Sequence, residues 1–203
     1  MSSFNEVEKF KKFYESRFGK RVLQREVEYL RRELKGRNKI LDIGCGIGVF
    51  EQALPELNLF GLDISEAMLR EAKKRSDKHF VIGNAEKLPF HSSSFDGVFM
   101  ITTLEFLKNP KRAVEEVARV LTSSGKFVLM LLNPDSKYFQ THVKRKGSYF
   151  RKIRHRNLKK IENIVSKRFH TEGEYFLGIR GKDVFTTDKK DWAALYVIKG
   201  SKR

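Results

Sequence analysis

The segment Asp42-Ile43-Gly44-Cys45-Gly46-Ile47-Gly48, entered from Lys39-Ile40-Leu41, constrains the fold more than any other part of the chain. Glycines at alternate positions directly after an apolar run predict a strand that passes into a helix through a tight turn. Bare backbone there can approach a ligand that any Cβ would obstruct. A dinucleotide fingerprint needs glycine at its first, third and sixth positions, with the helix N-terminus facing a pyrophosphate. Here the glycines stand at 44, 46 and 48, and Val49 occupies the sixth position. Asp42, two residues before the first glycine, repels phosphate and attracts a cation. Asp63 closes the next apolar run, Leu59-Phe60-Gly61-Leu62, where a neighbouring parallel strand would end, and a carboxylate there can accept both hydroxyls of a ribose.

Hydrophobic periodicity supplies the surroundings. Apolar residues such as Phe10, Phe13, Tyr14, Phe18, Val22, Val27 and Leu30 recur every three or four positions and predict one helix from about Phe4 to Leu34. The chain then alternates between the two patterns. Strands are expected at 40–42, 59–62, 80–82, 96–101 and 126–132, with helices at about 47–54, 65–75 and 110–121. Ser65 is placed as an N-cap with Met68 and Leu69 turned inward, and Pro110 suits a first helical turn. Such alternation implies a parallel α/β sheet. Two further strands, 174–180 and 192–199, flank Gly181-Lys182-Asp183 and read as a hairpin.

These residues carry a resemblance. Asp42-x-Gly44-x-Gly46-x-Gly48 with Asp63 resembles the class I S-adenosylmethionine-dependent methyltransferases, in particular the ubiquinone/menaquinone-biosynthesis-like (methyltransferase type 11) group. Asn84-Ala85-Glu86 resembles that family's adenine-reading turn, and Phe95-Asp96-Gly97-Val98 its entry to strand four. Arg119-Val120-Leu121 with Gly125 resembles its helix end before strand five. The resemblance implies a doubly wound, Rossmann-like sheet of seven mostly parallel strands, the last one antiparallel between the fifth and sixth, behind an N-terminal helical extension. It implies a single methyltransferase domain over 1–203: extension 1–38, cofactor-binding core 39–135, and a basic substrate-side helix with C-terminal hairpin in 136–203. The cofactor it implies is S-adenosyl-L-methionine, leaving S-adenosyl-L-homocysteine, without a metal. Asp42, Gly44, Cys45, Gly46, Gly48, Asp63, Ile64, Asn84, Ala85 and Thr102 are the cofactor-binding candidates.

Charge is unevenly distributed. The formal total is +17. Residues 1–38 contribute +5, 39–135 contribute −1 and 136–203 contribute +13, so the excess lies outside the core. Between Lys144 and Arg168 stand 11 basic residues and one acid, Glu162, interleaved with Tyr149, Phe150, His155 and Phe169. That stretch can hold phosphates through Lys144, Arg145, Lys146, Arg151, Arg154 and Arg156 with aromatics for stacking, or attract an anionic membrane. The plainer alternative is a solvated helix with Ile153, Ile161, Ile164 and Val165 turned to the core.

The single cysteine excludes an internal disulfide, and the five histidines form no close pair with metal-ligand spacing. Without a basic-then-apolar leader or a long apolar run, a cytoplasmic location is expected. Cys45 between two glycines reads as packing rather than as a nucleophile. After strand four the chain has Ile101-Thr102-Thr103-Leu104-Glu105-Phe106 where methyltransferases acting on base amino groups often carry Asn-Pro-Pro-aromatic. Glu105 stands where many small-molecule members show Glu-His; Phe106 replaces the histidine, leaving Glu105 as a weak catalytic candidate beside roles in shaping the pocket or capping a helix. Tyr14, Phe18, Arg21, Tyr149 and Phe150 are candidate walls of an acceptor pocket, with ordinary packing as the alternative. Three functions are compatible with this pattern: methyl transfer to a small molecule, methyl transfer to tRNA or rRNA through 144–168, and a noncatalytic RNA- or partner-binding protein that keeps the fold. Nothing in the sequence indicates an oligomeric state.

Overall fold

A computed structural model describes residues 2–203, with side chains from Glu6 onward. Eight strands form one sheet: β1 (Ile40–Ile43), β2 (Leu59–Asp63), β3 (His79–Ile82), β4 (Phe95–Ile101), β5 (Leu121–Leu132), β6 (Phe169–Arg180), β7 (Asp183–Phe185) and β8 (Ala193–Lys202). Their spatial order is β3-β2-β1-β4-β5-β8-β6-β7. The first five run parallel, and β8 lies antiparallel between β5 and β6. The sheet has eight strands where the sequence suggests seven. The additional one, β7, is three residues long, too short to show a hydrophobic period.

Seven helices flank the sheet: α1 (Ser2–Glu15), α2 (Arg17–Glu33), α3 (Val49–Ala53), α4 (Glu66–Arg75), α5 (Pro110–Val120), α6 (Lys137–Val143) and α7 (Leu158–Val165). Two cores result because successive strand residues point to opposite faces. On one face Phe99, Val128 and Met130 meet Val27 and Leu30 of α2, Phe50 of α3 and Met68 of α4. On the other, Val98, Met100 and Leu129 meet Val114 and Val117 of α5 and Ile161 and Val165 of α7.

The expected single N-terminal helix is two helices. Ser16 interrupts it: its Oγ donates to the Phe13 carbonyl at 2.6 Å and accepts the Gly19 N–H at 2.9 Å, ending α1 and capping α2. A Cβ on Gly19 would lie 1.9 Å from the Phe13 carbonyl oxygen, so glycine permits the close crossing. Periodicity missed the break because apolar residues on both sides pack against the same core.

Other boundaries shift for local reasons. β5 begins at Leu121 rather than 126, since Leu121 pairs with Phe95 before a bulge and Lys126 with Gly97 after it. The turn at Gly181 and Lys182 joins β6 to β7, while β6 pairs with β8 along its other edge. Within the basic segment Ile153, Ile161 and Val165 are buried and Ile164 half-buried, as the solvated-helix reading expects. No helix among the described residues is long and apolar enough to cross a membrane.

Candidate functional site

Strand order reverses at β1, which has β2 on one side and β4 on the other. In open α/β sheets the crevice beyond the carboxyl ends of such strands is where ligands bind. A cavity of about 270 Å³ lies there.

The glycine turn folds onto β2 through the N–H groups of Gly44 and Cys45, which donate to the Leu62 carbonyl at 2.7 and 3.1 Å. Asp63 locks it from the other side: its Oδ2 accepts the Gly46 N–H at 2.9 Å and its Oδ1 accepts the Ser65 N–H at 2.8 Å. Each carboxylate oxygen keeps a further lone pair directed away from these donors. Burial raises the Asp63 pKa, and the backbone N–H groups oppose that shift. Gly44 and Gly46 have φ of +83° and +54°, conformations that L side chains rarely adopt. Thr102, at the end of β4, has φ +47°, strained for a β-branched residue and held by its N–H to the Met130 carbonyl at 2.8 Å.

The cavity is acidic in its depths. Asp42 is 2% exposed and Glu51, on α3 just behind the turn, 1%. Among the described residues no donor reaches Asp42 Oδ2 or either Glu51 carboxylate oxygen. Burial raises both pKa values, with the Asp42 carboxyl further raised by the neighbouring Glu51 and Asp63 charges. Burial pushes the Glu51 carboxyl up to about 7. Among the described residues no Lys or Arg lines this cavity. In a chain of net charge +17, acids without a neighbouring Lys or Arg favour a cation over a pyrophosphate.

Of the residues singled out by sequence, Asp42, Gly44, Cys45, Gly46, Asp63, Ile64, Asn84, Ala85 and Thr102 line the cavity. Gly48 does not; it caps α3 in a left-handed conformation with its Cα facing Ala72 of α4. Ile64 is 70% exposed at the lip, apolar surface available to a flat ligand. Cys45 is buried, which pushes its thiol pKa far up and keeps it protonated. Asn84 Oδ1 accepts the Glu86 N–H at 2.8 Å, so the side chain shapes its own turn. Arg119 holds the next loop through its hydrogen bonds to the Phe90 and Leu88 carbonyls.

The acceptor-side candidates divide. Tyr14 and Tyr149 line the cavity, where they join Phe10 and Phe106 in an aromatic wall; Tyr149 lies 5.5 Å from Phe10 and 4.5 Å from Phe106 between ring centroids. Phe18 and Arg21 do not reach it. Arg21 donates to the carbonyls of Lys182 and Val184, because the break at Ser16 turns the start of α2 toward the β6–β7 turn. Phe150 packs on Tyr138 and Phe139 of α6. The remaining interleaved aromatics of the basic segment are also engaged within the chain: His155 Nε2 lies 3.0 Å from the Leu107 carbonyl, and Phe169 packs on Phe127. That leaves the segment with cations but little aromatic surface for stacking bases. Glu51, Thr103, Phe10 and Phe106 were not found by sequence; only Glu51, in the first helical turn after the glycines, carried a local signal.

Glu105 lies behind the cavity. Its Oε1 accepts the Leu132 N–H at 3.0 Å, and its backbone carbonyl accepts from Arg154 and His155. Burial pushes its pKa to about 7. A raised acid pKa favours the folded state fully only below the unfolded value near 4.5; stability is then lost as pH rises toward 7. Glu105→Gln keeps the acceptor for Leu132 and removes the titration. Its melting temperature relative to the wild type should therefore rise between pH 5 and pH 8, and a constant difference would show that Glu105 titrates normally.

Residues 41–129 match a family model described as "Methyltransferase domain". An uncharacterized protein of Methanocaldococcus jannaschii is 36% identical over 160 residues, 78% of this chain and 58% of that protein. The demethylmenaquinone methyltransferase of Thermotoga maritima is 36% identical over 107 residues, 50% of this chain and 47% of the enzyme. The chain thus spans less than two thirds of the length of either relative. Among solved structures, a Thermotoga maritima protein described as "SAM-dependent methyltransferase, possible histamine N-methyltransferase" superposes with a TM-score of 0.81 at 23% identity, covering 97% of this chain and 96% of that one. At that identity the likeness establishes the fold.

Proposed function

We propose that this chain, a class I S-adenosylmethionine-dependent methyltransferase by its domain and fold, binds S-adenosyl-L-methionine in the acid-lined cavity and methylates a small-molecule acceptor at its aromatic wall. The observation that carries the reading is that Asp42 and the half-buried Asp63 line a cavity to which, among the described residues, no Lys or Arg contributes, with the buried Glu51 close behind Asp42. A donor carrying a sulfonium and an amino group supplies the positive charge those acids lack. Asp42, with Glu51 behind it, would face the cationic methionine part, Asp63 the ribose hydroxyls, and Ile64 with the Asn84-Ala85 turn the adenine. Bound there, the donor supplies an electrophilic methyl group to a lone pair on the acceptor.

The chain's own contribution is placement and the removal of water. Phe10, Tyr14, Phe106 and Tyr149 enclose the approach, and orientation with desolvation can supply much of the acceleration. Tyr14 and Tyr149 are held neutral because burial raises both well above the ordinary tyrosine range. Glu105 lines no part of the cavity, so we assign it to positioning β5 and the segment after α6 rather than to proton transfer. An acceptor that already carries a nucleophilic lone pair needs no base. The wall is uncharged, which suits an apolar or weakly basic small molecule; the Thermotoga maritima relative is named for such an acceptor, demethylmenaquinone.

Calorimetry with S-adenosyl-L-methionine is the first test. Saturable binding is expected, with protons released near neutral pH because the cation favours the ionised Asp42-Glu51 pair. The released protons appear as a difference in apparent enthalpy between phosphate and Tris buffers. No binding at millimolar ligand would remove the enzymatic reading and leave a noncatalytic protein. A labelled-methyl assay against small-molecule and RNA pools then identifies the acceptor class.

A further inference from the structure

A second cavity, of about 800 Å³, opens between the start of α2, α6, the β6–β7 turn and the beginning of β8. It shares no lining residue with the acid-lined cavity. Its electrostatics are the reverse. Arg17, Lys137, Arg145, Arg180 and Lys182 line it, and no Asp or Glu does.

These cations are not one charge run folded back on itself. Arg17 comes from the start of α2 and the other four from the basic C-terminal third, so the tertiary structure brings both basic parts of the chain to one concavity. All five are exposed, so their charges face the solvent-filled hollow. At the rim of this cavity Arg21 lies 3.9 Å from Asp183. The five lining cations have no carboxylate partner within salt-bridge distance among the described residues. Three of them are arginines, whose planar forks match phosphate oxygens two at a time.

The remaining lining combines apolar and aromatic side chains with the polar Ser16, Thr141 and His142. Phe18, Tyr138, Ile179 and Trp192 contribute to it, with the Lys137 ammonium 4.0 Å from the Trp192 ring centroid. A volume of about 800 Å³ falls within the range typical of small-molecule sites, roughly 300 to 1,000 Å³. Cations around an aromatic floor, in a hollow of that size, define the ligand's chemistry: several phosphates joined to a planar group.

We propose that this cavity is a second ligand site, which binds a phosphorylated small molecule of nucleotide size. The inference rests on the basic cavity alone and holds whether or not the acid-lined one binds a methyl donor. Its aromatic floor adjoins the other cavity's wall, since Phe13 contacts both Tyr14 on that side and Phe18 on this one. Neighbouring sites of opposite charge keep their ligands apart: the acids reject phosphates, and the arginines reject a cationic donor.

Trp192 is the only tryptophan in the chain, so intrinsic fluorescence reports this cavity. The full chain is titrated at low salt with uridine 5′-triphosphate, with sodium tripolyphosphate and with a single-stranded RNA of eight nucleotides. Saturation is expected with the first two, the nucleotide binding at least fivefold tighter because its base meets the aromatic floor. Arg145→Glu with Arg180→Glu should weaken the nucleotide at least tenfold. Lys160→Glu with Lys167→Glu, an equal charge change outside the lining, should alter it less than threefold. A circular-dichroism melt of each variant checks folding, and if the first pair unfolds, Arg145→Gln with Arg180→Gln replaces it with the same expectation. Absence of saturation, equal losses in both charge-reversed pairs, or RNA binding more than tenfold tighter than the nucleotide would each overturn the proposal, the last in favour of an extended nucleic-acid surface.

Discussion

Gly44→Ala should lower the melting temperature by roughly 6 to 12 °C and abolish measurable binding of S-adenosyl-L-methionine. Two costs act together. At φ +83° an L residue is strained, and an ideal Cβ would lie 2.3 Å from Thr103 Oγ1 and 2.6 Å from its Cγ2. Thr103 cannot simply rotate away, because its Oγ1 donates to the Ile101 carbonyl at 3.0 Å. Backbone strain of about 1 to 3 kcal/mol with the overlap added gives about 3 kcal/mol or more, and each kcal/mol is worth about 2 to 4 °C in a domain of this size. Relief of the overlap displaces Thr103 or the turn, and both line the cavity. Gly46→Ala separates the two costs: at φ +54° its Cβ would meet nothing within 4 Å, leaving about 1 to 2 kcal/mol of strain. Thermal melts of both variants, and of Gly44→Ala combined with Thr103→Ala, check the ordering. Equal melts for the two glycine variants would show that Thr103 does not set the shape of the turn.

Asp63→Ala is expected to weaken the donor by about 1 to 3 kcal/mol, the range for hydrogen bonds to a charged group, which is roughly 5- to 150-fold in affinity. The carboxylate already receives the Gly46 and Ser65 N–H groups. Its loss therefore loosens the turn and the entry to α4 as well as removing an acceptor for ligand hydroxyls. Calorimetry with S-adenosyl-L-homocysteine and with its 2′,3′-dideoxy analogue distinguishes these contributions. If Asp63 receives the ribose, the wild type prefers the hydroxylated ligand and Asp63→Ala loses most of that preference. A preference that survives the substitution would assign Asp63 to the turn alone.

Most of the expected donor residues line one cavity because each belongs to a short local pattern. A glycine turn after a strand, an acid two residues earlier and an acid at the next strand's end all lie where parallel pairing brings strand ends together. β1 pairs with β2 and β4 in register, so Asp42, Asp63 and Thr102 converge without help from distant sequence. The acceptor side was less legible. One continuous helix would have kept Tyr14, Phe18 and Arg21 near one another, but the hydroxyl of Ser16 ends α1 and redirects α2. Tyr14 then faces the acid-lined cavity, Phe18 the basic one, and Arg21 the carbonyls of β7 and its turn. Glu105 looked like a site residue because it follows strand four directly, yet its carboxylate serves the Leu132 N–H behind the cavity.

Sequence by itself determined the parallel α/β core and the position of the glycine turn beside Asp42 and Asp63, since these depend on residue order over a few positions and on strand pairing. The same composition carried the total charge of +17 but not its arrangement. Only the tertiary structure decided that Glu51 is buried behind Asp42, that Tyr14 and Tyr149 share one wall, and that Arg17, Arg145 and Arg180 line a second cavity to which no acid contributes among the described residues. Electrostatic and aromatic contacts depend on distance in space, and these residues are brought together by chain reversals that no local pattern specifies.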